Sequence, residues 1–321
     1  MATSIQQVLS SVLNGTPIDR ETACQLASEK DREILWNAAD QVRSHFHGSR
    51  LSLCSIINAK SGKCSEDCRF CSQSARHHTN IEEYDVVDST LALEIAEDNN
   101  HHGVHRLSLV TSGRSASVAL LEQLTALYEK IGKSTSLNLC GSMGLLTREK
   151  AAKLKKMGVV RYHCNLETNR SFFQKVCTTH TWEEKVETLH IAREAGMSLC
   201  SGGIIGMGET MADRIDLALE LRHLAVDSIP LNILTPIAGT PLGELEPLKT
   251  EEILTTIALF RLIYPHAVLR IAGGRQQMGK DQYHCFRSGA NGAMVGNYLT
   301  TIGSGIEDDL RTFREMGFNF D

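Results

Sequence analysis

Within residues 106–166 the chain reads RLSLVT at Arg106–Thr111, VALLEQLTALYEKI at Val118–Ile131, SLNLC at Ser136–Cys140, TREKAAKLKK at Thr147–Lys156 and VRYHCNL at Val160–Leu166. Short β-rich apolar runs thus alternate with longer segments whose apolar residues return every three or four positions. Thr147 stands where a helix N-cap belongs and Gly158 where that helix must stop. Strand, helix and strand at this spacing require parallel pairing with right-handed crossovers.

The same alternation continues in both directions. Further strands are predicted at Leu51–Ile57, Ser198–Ile204, Ile229–Leu234, Ala267–Ile271 and Gly292–Val295, which makes eight in all. Helical patterns lie near Ser89–Asn100, Trp182–Ala195, Met211–Leu224, Thr250–Leu262 and Gln282–Ser288, with Thr250 a second N-cap candidate and Gly103 and Gly196 further stops. Eight such units predict an α/β fold, a TIM-type (β/α)8 barrel, with a doubly wound open sheet as the structural alternative. Ile5–Leu13 and Glu21–Trp36 are patterned as helices and predict an N-terminal helical extension. The expected division is a helical cap at residues 1–45 over the barrel base, then the barrel and a C-terminal tail at 46–321.

Composition narrows the function. With 42% hydrophobic residues and 22% charged, the 321-residue chain has ample side chain to bury a core, which excludes disorder. The net charge of −5, without a dense Lys/Arg run, argues against nucleic acid as a partner. No stretch approaches the length of an apolar membrane span. Met1–Arg20 lacks a charged-then-apolar export layout, so a cytoplasmic setting is expected. In a reducing compartment the ten cysteines are read as metal ligands or catalytic thiols where they cluster, and as small core residues where they scatter.

They cluster at Cys64-Ser-Glu-Asp-Cys68-Arg-Phe-Cys71, directly after the first strand. Three thiolates with three and two intervening residues can hold an iron–sulfur cube and leave its fourth iron open for a ligand. A zinc site with His77 or His78 as a fourth donor is the competing reading, and it would make the protein a scaffold without catalysis.

The cysteine run resembles the signature of radical S-adenosylmethionine (SAM) enzymes. Together with Tyr162-His-Cys-Asn-Leu-Glu-Thr168, Cys200-Ser-Gly-Gly-Ile-Ile-Gly-Met-Gly-Glu-Thr210, Pro230-Leu-Asn232, Gly239-Thr-Pro-Leu242 and Arg270-Ile-Ala-Gly-Gly-Arg-Gln-Gln-Met278, it is similar to the biotin synthase family from about Leu51 to Gly317. The resemblance implies a [4Fe-4S] cluster with one open iron on Cys64, Cys68 and Cys71, two SAM molecules per turnover, and an auxiliary iron–sulfur cluster that donates sulfur to dethiobiotin. It implies an electron donor such as flavodoxin or ferredoxin, and a homodimer. A related radical SAM barrel with another substrate, such as a hydrogenase-cofactor maturase or a carbon-skeleton mutase, is the alternative function.

Strand parity places side chains independently of any family: His163, Asn165 and Glu167 share one face and Cys164 takes the other. By resemblance, Asn165 and Glu167 match positions at the SAM ribose, with Phe70, Thr111, Lys185 and Thr235 also around SAM. Lys185 read as a solvated helix residue is the other possibility. His163 and Asn232 match contacts to dethiobiotin, although the family usually has Asn at the former.

The auxiliary ligands depart from the family. Cys140, Cys200 and Arg270 match the expected set, but Ser108 stands where strand two usually carries a thiolate. Cys54, on the neighbouring first strand, is the expected replacement. Gly292 in place of a usual serine is expected to widen the chamber. A two-iron or a larger four-iron auxiliary cluster would then fit, or else Cys54 is an ordinary buried strand cysteine. Arg106, of the same parity as Ser108, is expected to face this chamber, and Cys24, Cys177 and Cys285 are taken as structural.

Overall fold

A computed structural model describes residues 4–296 and 305–320; part of the expected C-terminal tail lies outside these. Its elements run α1 (Ile5–Leu13), α2 (Arg20–Ala27), α3 (Arg32–His47), β1 (Ser52–Lys60), α4 (Ser89–His101), β2 (Arg106–Thr111), α5 (Val118–Ser134), β3 (Asn138–Ser142), α6 (Arg148–Lys156) and β4 (Arg161–His163). They continue with α7 (Arg170–Phe173), α8 (Trp182–Glu194), β5 (Ser198–Cys200), β6 (Gly203–Ile205), α9 (Met211–His223), β7 (Ser228–Ile233), α10 (Thr250–Ile263), β8 (Val268–Ile271), β9 (Gly292–Met294) and α11 (Ile306–Glu315). The strands are parallel in the order β5-β4-β3-β2-β1-β9-β8-β7-β6, and pairing of Cys200 with Ser228 closes the sheet between β5 and β7. The result is an eight-staved (β/α)8 barrel in which β5 and β6 form one broken stave.

That break departs from the continuous strand expected at Ser198–Ile204. A Cβ on Gly202 would lie 2.0 Å from the Pro230 carbonyl oxygen, and one on Gly203 2.3 Å from that of Glu167. Two backbones cross there too closely for a regular ladder, and only glycine fits. The predicted Val160–Leu166 strand likewise shortens to Arg161–His163. Its chain stays stitched to the next stave by Cys164 N–H on Cys200 O (3.0 Å) and Glu167 N–H on Gly202 O (3.1 Å), with Glu167 in the left-handed region at φ 69°.

Three helical expectations are corrected. The single pattern at Glu21–Trp36 is two helices, because the Asp31 carboxylate accepts from Ile34 N–H and starts α3 anew. The last predicted helix is a 3₁₀ segment over Arg275–Arg287, broken at Gly279 where φ is 56°. Lys249, not Thr250, is the N-cap of α10 and makes no side-chain cap bond. Thr147 does cap α6 by accepting from Lys150 N–H at 3.3 Å.

Helix α10 is buried around its whole circumference from Ile253 to Ile263, which a barrel helix with one wet face would not be. Its outer face is covered by α3 and α2. Arg261, fully buried in α10, donates to Pro265 O, Ala267 O, Gly289 O and Asn291 Oδ1 and so meets the charge-burial requirement with four acceptors. His47, ending α3, sits with its Nε2 3.0 Å from both an Arg261 nitrogen and Pro265 O. No described helix is long and apolar enough to cross a membrane.

Candidate active site

Alternate residues of each strand turn inward, and β1 and β2 show this as strict alternation of half-buried and buried positions. The half-buried set lines a cavity of about 370 Å³ inside the barrel. Its walls bring together Cys54, Arg106, Ser108, Cys140, Arg161, His163, Cys200 and Arg270, and also Phe70, Asn165, Glu167 and Asn232. Cys164, as parity predicts, lies instead in the hydrophobic layer under the helices.

The loop after β1 carries the three clustered thiols. It is fastened by its own backbone: Cys64 N–H donates to Gln73 O (3.0 Å), Ala75 N–H to Cys64 O (2.8 Å) and Cys71 N–H to Cys68 O (2.9 Å). Ser74 Oγ donates to Glu66 O at 2.5 Å. Among the described residues, the one group of Cys, His and acidic side chains whose donor atoms all fall within 4.8 Å of each other does not contain Cys64 and Cys71. The three loop thiols therefore stand too far apart to share one ion, as ligands of a cube must. His77 turns its Nδ1 onto Cys71 O at 2.8 Å.

Deeper in the barrel, Cys54, Cys140 and Cys200 face Arg106, Arg161 and Arg270. Burial pushes Cys140 up to about 11 and raises Cys54 and Cys200, while the guanidiniums pull all three down. Burial likewise pushes Cys71 up to about 11. Such thiols become thiolates only against a cation, which is the chemistry of metal ligation. Arg270 donates through Nη1 to Ser52 O and Ala293 O (2.8 Å each) and through Nη2 to Ser52 Oγ (2.9 Å). Arg161 was missed in the sequence, although it precedes His163 by two and shares its parity. Its Nε donates to Ser198 Oγ at 2.9 Å, and burial lowers its pKa.

Several polar atoms in the cavity wall are buried without a partner: Arg106 Nη1, Ser108 Oγ and Glu167 Oε2. Buried polar atoms are rarely left this way, and their position marks where a polar ligand belongs. The donor set and these atoms fit an anionic cluster below and a polar cofactor above. Gly292 does not widen the cavity as expected. A Cβ there would lie 3.0 Å from Val268 Cγ1 and 3.3 Å from Arg270 Cβ, so neighbouring side chains already fill the space.

The remaining predicted residues fall in three places. Asn232 Oδ1 accepts from Gly273 N–H (3.0 Å) and its Nδ2 donates to Gly203 O (3.3 Å), so the amide bridges two staves as it faces the cavity. His163 holds its Nδ1 3.4 Å from Cys200 Sγ, and burial pushes its pKa down to about 4, so the ring is neutral near pH 7. Lys185 is buried, which removes the solvated alternative; Nζ donates to Asn165 O at 2.9 Å and pairs with Glu167 Oε1 at 3.5 Å. Thr111 ends β2 with a buried Oγ1 that has no partner, and Thr235 Oγ1 accepts from Gln277 Nε2 at 2.8 Å. Neither these two nor Lys185 reach the cavity wall itself.

A closed parallel barrel with an open-spaced three-cysteine loop beyond its first strand defines a radical SAM enzyme, and residues 59–221 match the radical SAM superfamily. Residues 230–319 match the Biotin and Thiamin Synthesis associated domain. The chain belongs to the biotin synthase family: it is 51% identical to the biotin synthase of Desulfotalea psychrophila over 98% of its length and 95% of that protein's. It is also 47% identical to the biotin synthase of Clostridium tetani, covering 94% and 92% respectively. In fold it resembles methylornithine synthase (TM-score 0.84, 19% identity, 97% and 96% covered) and the FeFe-hydrogenase maturase of Carboxydothermus hydrogenoformans (TM-score 0.81, 16% identity, 98% and 78% covered). At these identities the two structures speak for the barrel alone. The activity is radical SAM sulfur insertion that makes biotin, with SAM and dethiobiotin as substrates and two iron–sulfur clusters. The mutase or maturase and the zinc-scaffold alternatives are thereby set aside.

Proposed function

We propose the following division of labour among the side chains. Cys64, Cys68 and Cys71 hold the cube; Phe70, Thr111, Asn165, Glu167, Lys185 and Thr235 surround SAM; His163 and Asn232 face dethiobiotin; Cys54, Cys140, Cys200 and Arg270 surround the auxiliary cluster. The observation that carries this reading is a single cavity whose wall joins the Asn165–Glu167 pair, the Asn232 amide and a floor of three thiols among three guanidiniums. When bound, SAM on the cube supplies a 5′-deoxyadenosyl radical and the auxiliary cluster supplies the sulfur.

The chain's own residues position the reactants and exclude water. Lys185 fixes Glu167 and the Asn165 carbonyl, so the unpartnered Glu167 Oε2 is free to accept a ribose hydroxyl. Asn232 retains one N–H and one lone pair beyond its two backbone bonds, which suits the N–H and C=O of a cyclic urea. Neutral His163 brings a hydrogen-bonding ring without a charge to compete for the clusters. Ile56, Val110, Ile204 and Met294 also line the cavity and make part of its wall apolar, which helps to exclude water from it. The missing thiolate at Ser108 is replaced from β1 by Cys54, and the chamber takes a two-iron or a larger four-iron cluster.

We further infer a cytoplasmic homodimer fed by flavodoxin or ferredoxin, with residues 1–45 acting as a helical cap unit on the 46–321 barrel. Anaerobic incubation with SAM, a low-potential reductant and dethiobiotin tests the assignment. Biotin and 5′-deoxyadenosine are expected from the wild type and neither from Cys64→Ala, Cys68→Ala or Cys71→Ala. Substantial 5′-deoxyadenosine from any of the three variants overturns the cube assignment.

A further inference from the structure

Cys177 does not behave as the packing thiol its scattered position implied. It lies in the turn before α8 with its Sγ 3.7 Å from Cys68 Sγ and 3.3 Å from His180 Nδ1. The donor atoms of Cys68, Cys177 and His180 all lie within 4.8 Å of one another. For a tetrahedral ion with metal–sulfur bonds near 2.3 Å and metal–nitrogen bonds near 2.05 Å, the sulfur–sulfur edge is about 3.8 Å and the sulfur–nitrogen edge about 3.5 Å. The observed separations match both edges to within a few tenths of an ångström.

Two carboxylate oxygens flank the same space: Glu66 Oε2 is 2.6 Å from His180 Nδ1, and Asp67 Oδ1 is 3.2 Å from Cys177 Sγ. The segments are locked together, since Asp67 also accepts from the N–H groups of Thr178 (2.9 Å) and Thr179 (3.2 Å). Glu66 retains Thr179 Oγ1 (2.9 Å) and Ser65 Oγ (3.0 Å) as donors if His180 turns its lone pair to an ion. Two thiolates and a neutral imidazole carry a charge of −2 that a divalent ion cancels, while the flanking Glu66 and Asp67 carboxylates are held by hydrogen-bond donors of their own.

We propose that Cys68, Cys177 and His180 form a mononuclear site for a thiophilic divalent cation, zinc or ferrous iron, which fills when the cube is absent and competes with it for Cys68. The competition, though not the site, rests on Cys68 being a cube ligand. A cluster-free chain would then hold one ion at the mouth of its cube loop, and zinc there would delay cluster assembly.

Cobalt titration of the cluster-free full-length chain under anaerobic, thiol-reducing conditions tests this. One Co²⁺ per chain is expected, with thiolate-to-metal charge transfer in the near ultraviolet and the intense visible bands of tetrahedral geometry. Cys177→Ala and His180→Gln should each weaken this site at least tenfold, and Cys64→Ala and Cys71→Ala should leave it. Two independent variants guard against misfolding of one, and far-ultraviolet circular dichroism checks both. Zinc added first should slow cube reconstitution in the wild type and not in Cys177→Ala. Cobalt binding that survives both Cys177→Ala and His180→Gln, or no tight cobalt site, overturns the proposal. If Cys68→Ala loses the cobalt site yet still assembles the cube, the cube assignment fails and the mononuclear site stands; the reverse result sinks the mononuclear site alone.

Discussion

Replacing Cys54 by Ala removes one sulfur from the chamber floor and nothing from the cube loop. The stability cost should be small, about 1 kcal/mol, because the side chain already faces a cavity and few packed atoms lose contacts. The electrostatic consequence is larger. Cys54 stands among Arg270, Arg161 and Arg106, and without it two thiolates remain to offset three guanidiniums. If Cys54 supplies the ligand that Ser108 cannot, iron per chain should fall by about half for a four-iron auxiliary cluster, or by about a third for a two-iron one, with the cube retained. The assay is iron and sulfide content after anaerobic reconstitution, followed by turnover with SAM and dethiobiotin. Formation of 5′-deoxyadenosine should persist and biotin should fall below detection. Ser108→Ala should change neither, since a neutral hydroxyl is a poor iron ligand beside available thiolates. A Cys54→Ala protein with unchanged iron, sulfide and biotin yield would refute the relocation and return Cys54 to the packing residues.

Asn232→Ala should weaken dethiobiotin binding by about 1–3 kcal/mol, roughly five- to 150-fold, and leave SAM binding within a factor of two. Isothermal titration with each ligand reads this directly, and equal loss of both would place Asn232 elsewhere. Lys185→Met leaves the half-buried Glu167 without its cation and should cost about 1–3 kcal/mol in urea unfolding; Lys185→Met combined with Glu167→Gln should recover much of it, and no recovery would mean the pair is not coupled. Burial, with Arg261 beside it, pushes His47 down to about 4. A folded pKa below the unfolded value means the unfolded chain binds the extra proton first, so stability is full above about pH 6.5 and falls as pH drops toward 4. His47→Gln should flatten that slope by about 1–2 kcal/mol, after allowance for partial exposure; an unchanged slope in the variant would clear His47 of the effect.

The barrel was legible because its evidence is periodic. Alternation in β2 and the capped helix α6 each repeat a local rule, and eight repetitions leave few topologies. What escaped were features set by distant backbone. The break at Ser201–Gly202 depends on the Pro230 carbonyl, twenty-eight residues on; the adjacent glycines Gly202 and Gly203 signal a close backbone approach but do not say to what. Lys185 is buried against the Asn165 carbonyl and Glu167, partners twenty and eighteen residues before it, and Glu167 holds a positive φ that no propensity for glutamate would favour. Cys177 read as a core thiol because its partner, Cys68, is more than a hundred residues away. Arg161 is different. Its parity with His163 was available in the sequence, and applying the alternation two residues further would have placed it in the chamber.

That third arginine bears on the ligand question independently of any family comparison. A closed chamber with three guanidiniums is stable only if they are offset, by acceptors or by anions. Arg270 is offset by Ser52 and Ala293 oxygens and Arg161 in part by Ser198, but Arg106 Nη1 is buried without a partner. Arg106 is also the residue that pairs in register with Cys54 across β1 and β2, whereas Ser108 pairs with Cys140. An anionic thiolate at position 54 therefore arises beside the one arginine whose charge is least satisfied. Position 108 instead stands in register with Cys140, another prospective anion. On the proposed assignment, the thiolate supplied from β1 is the one that stands in register with the unpartnered Arg106.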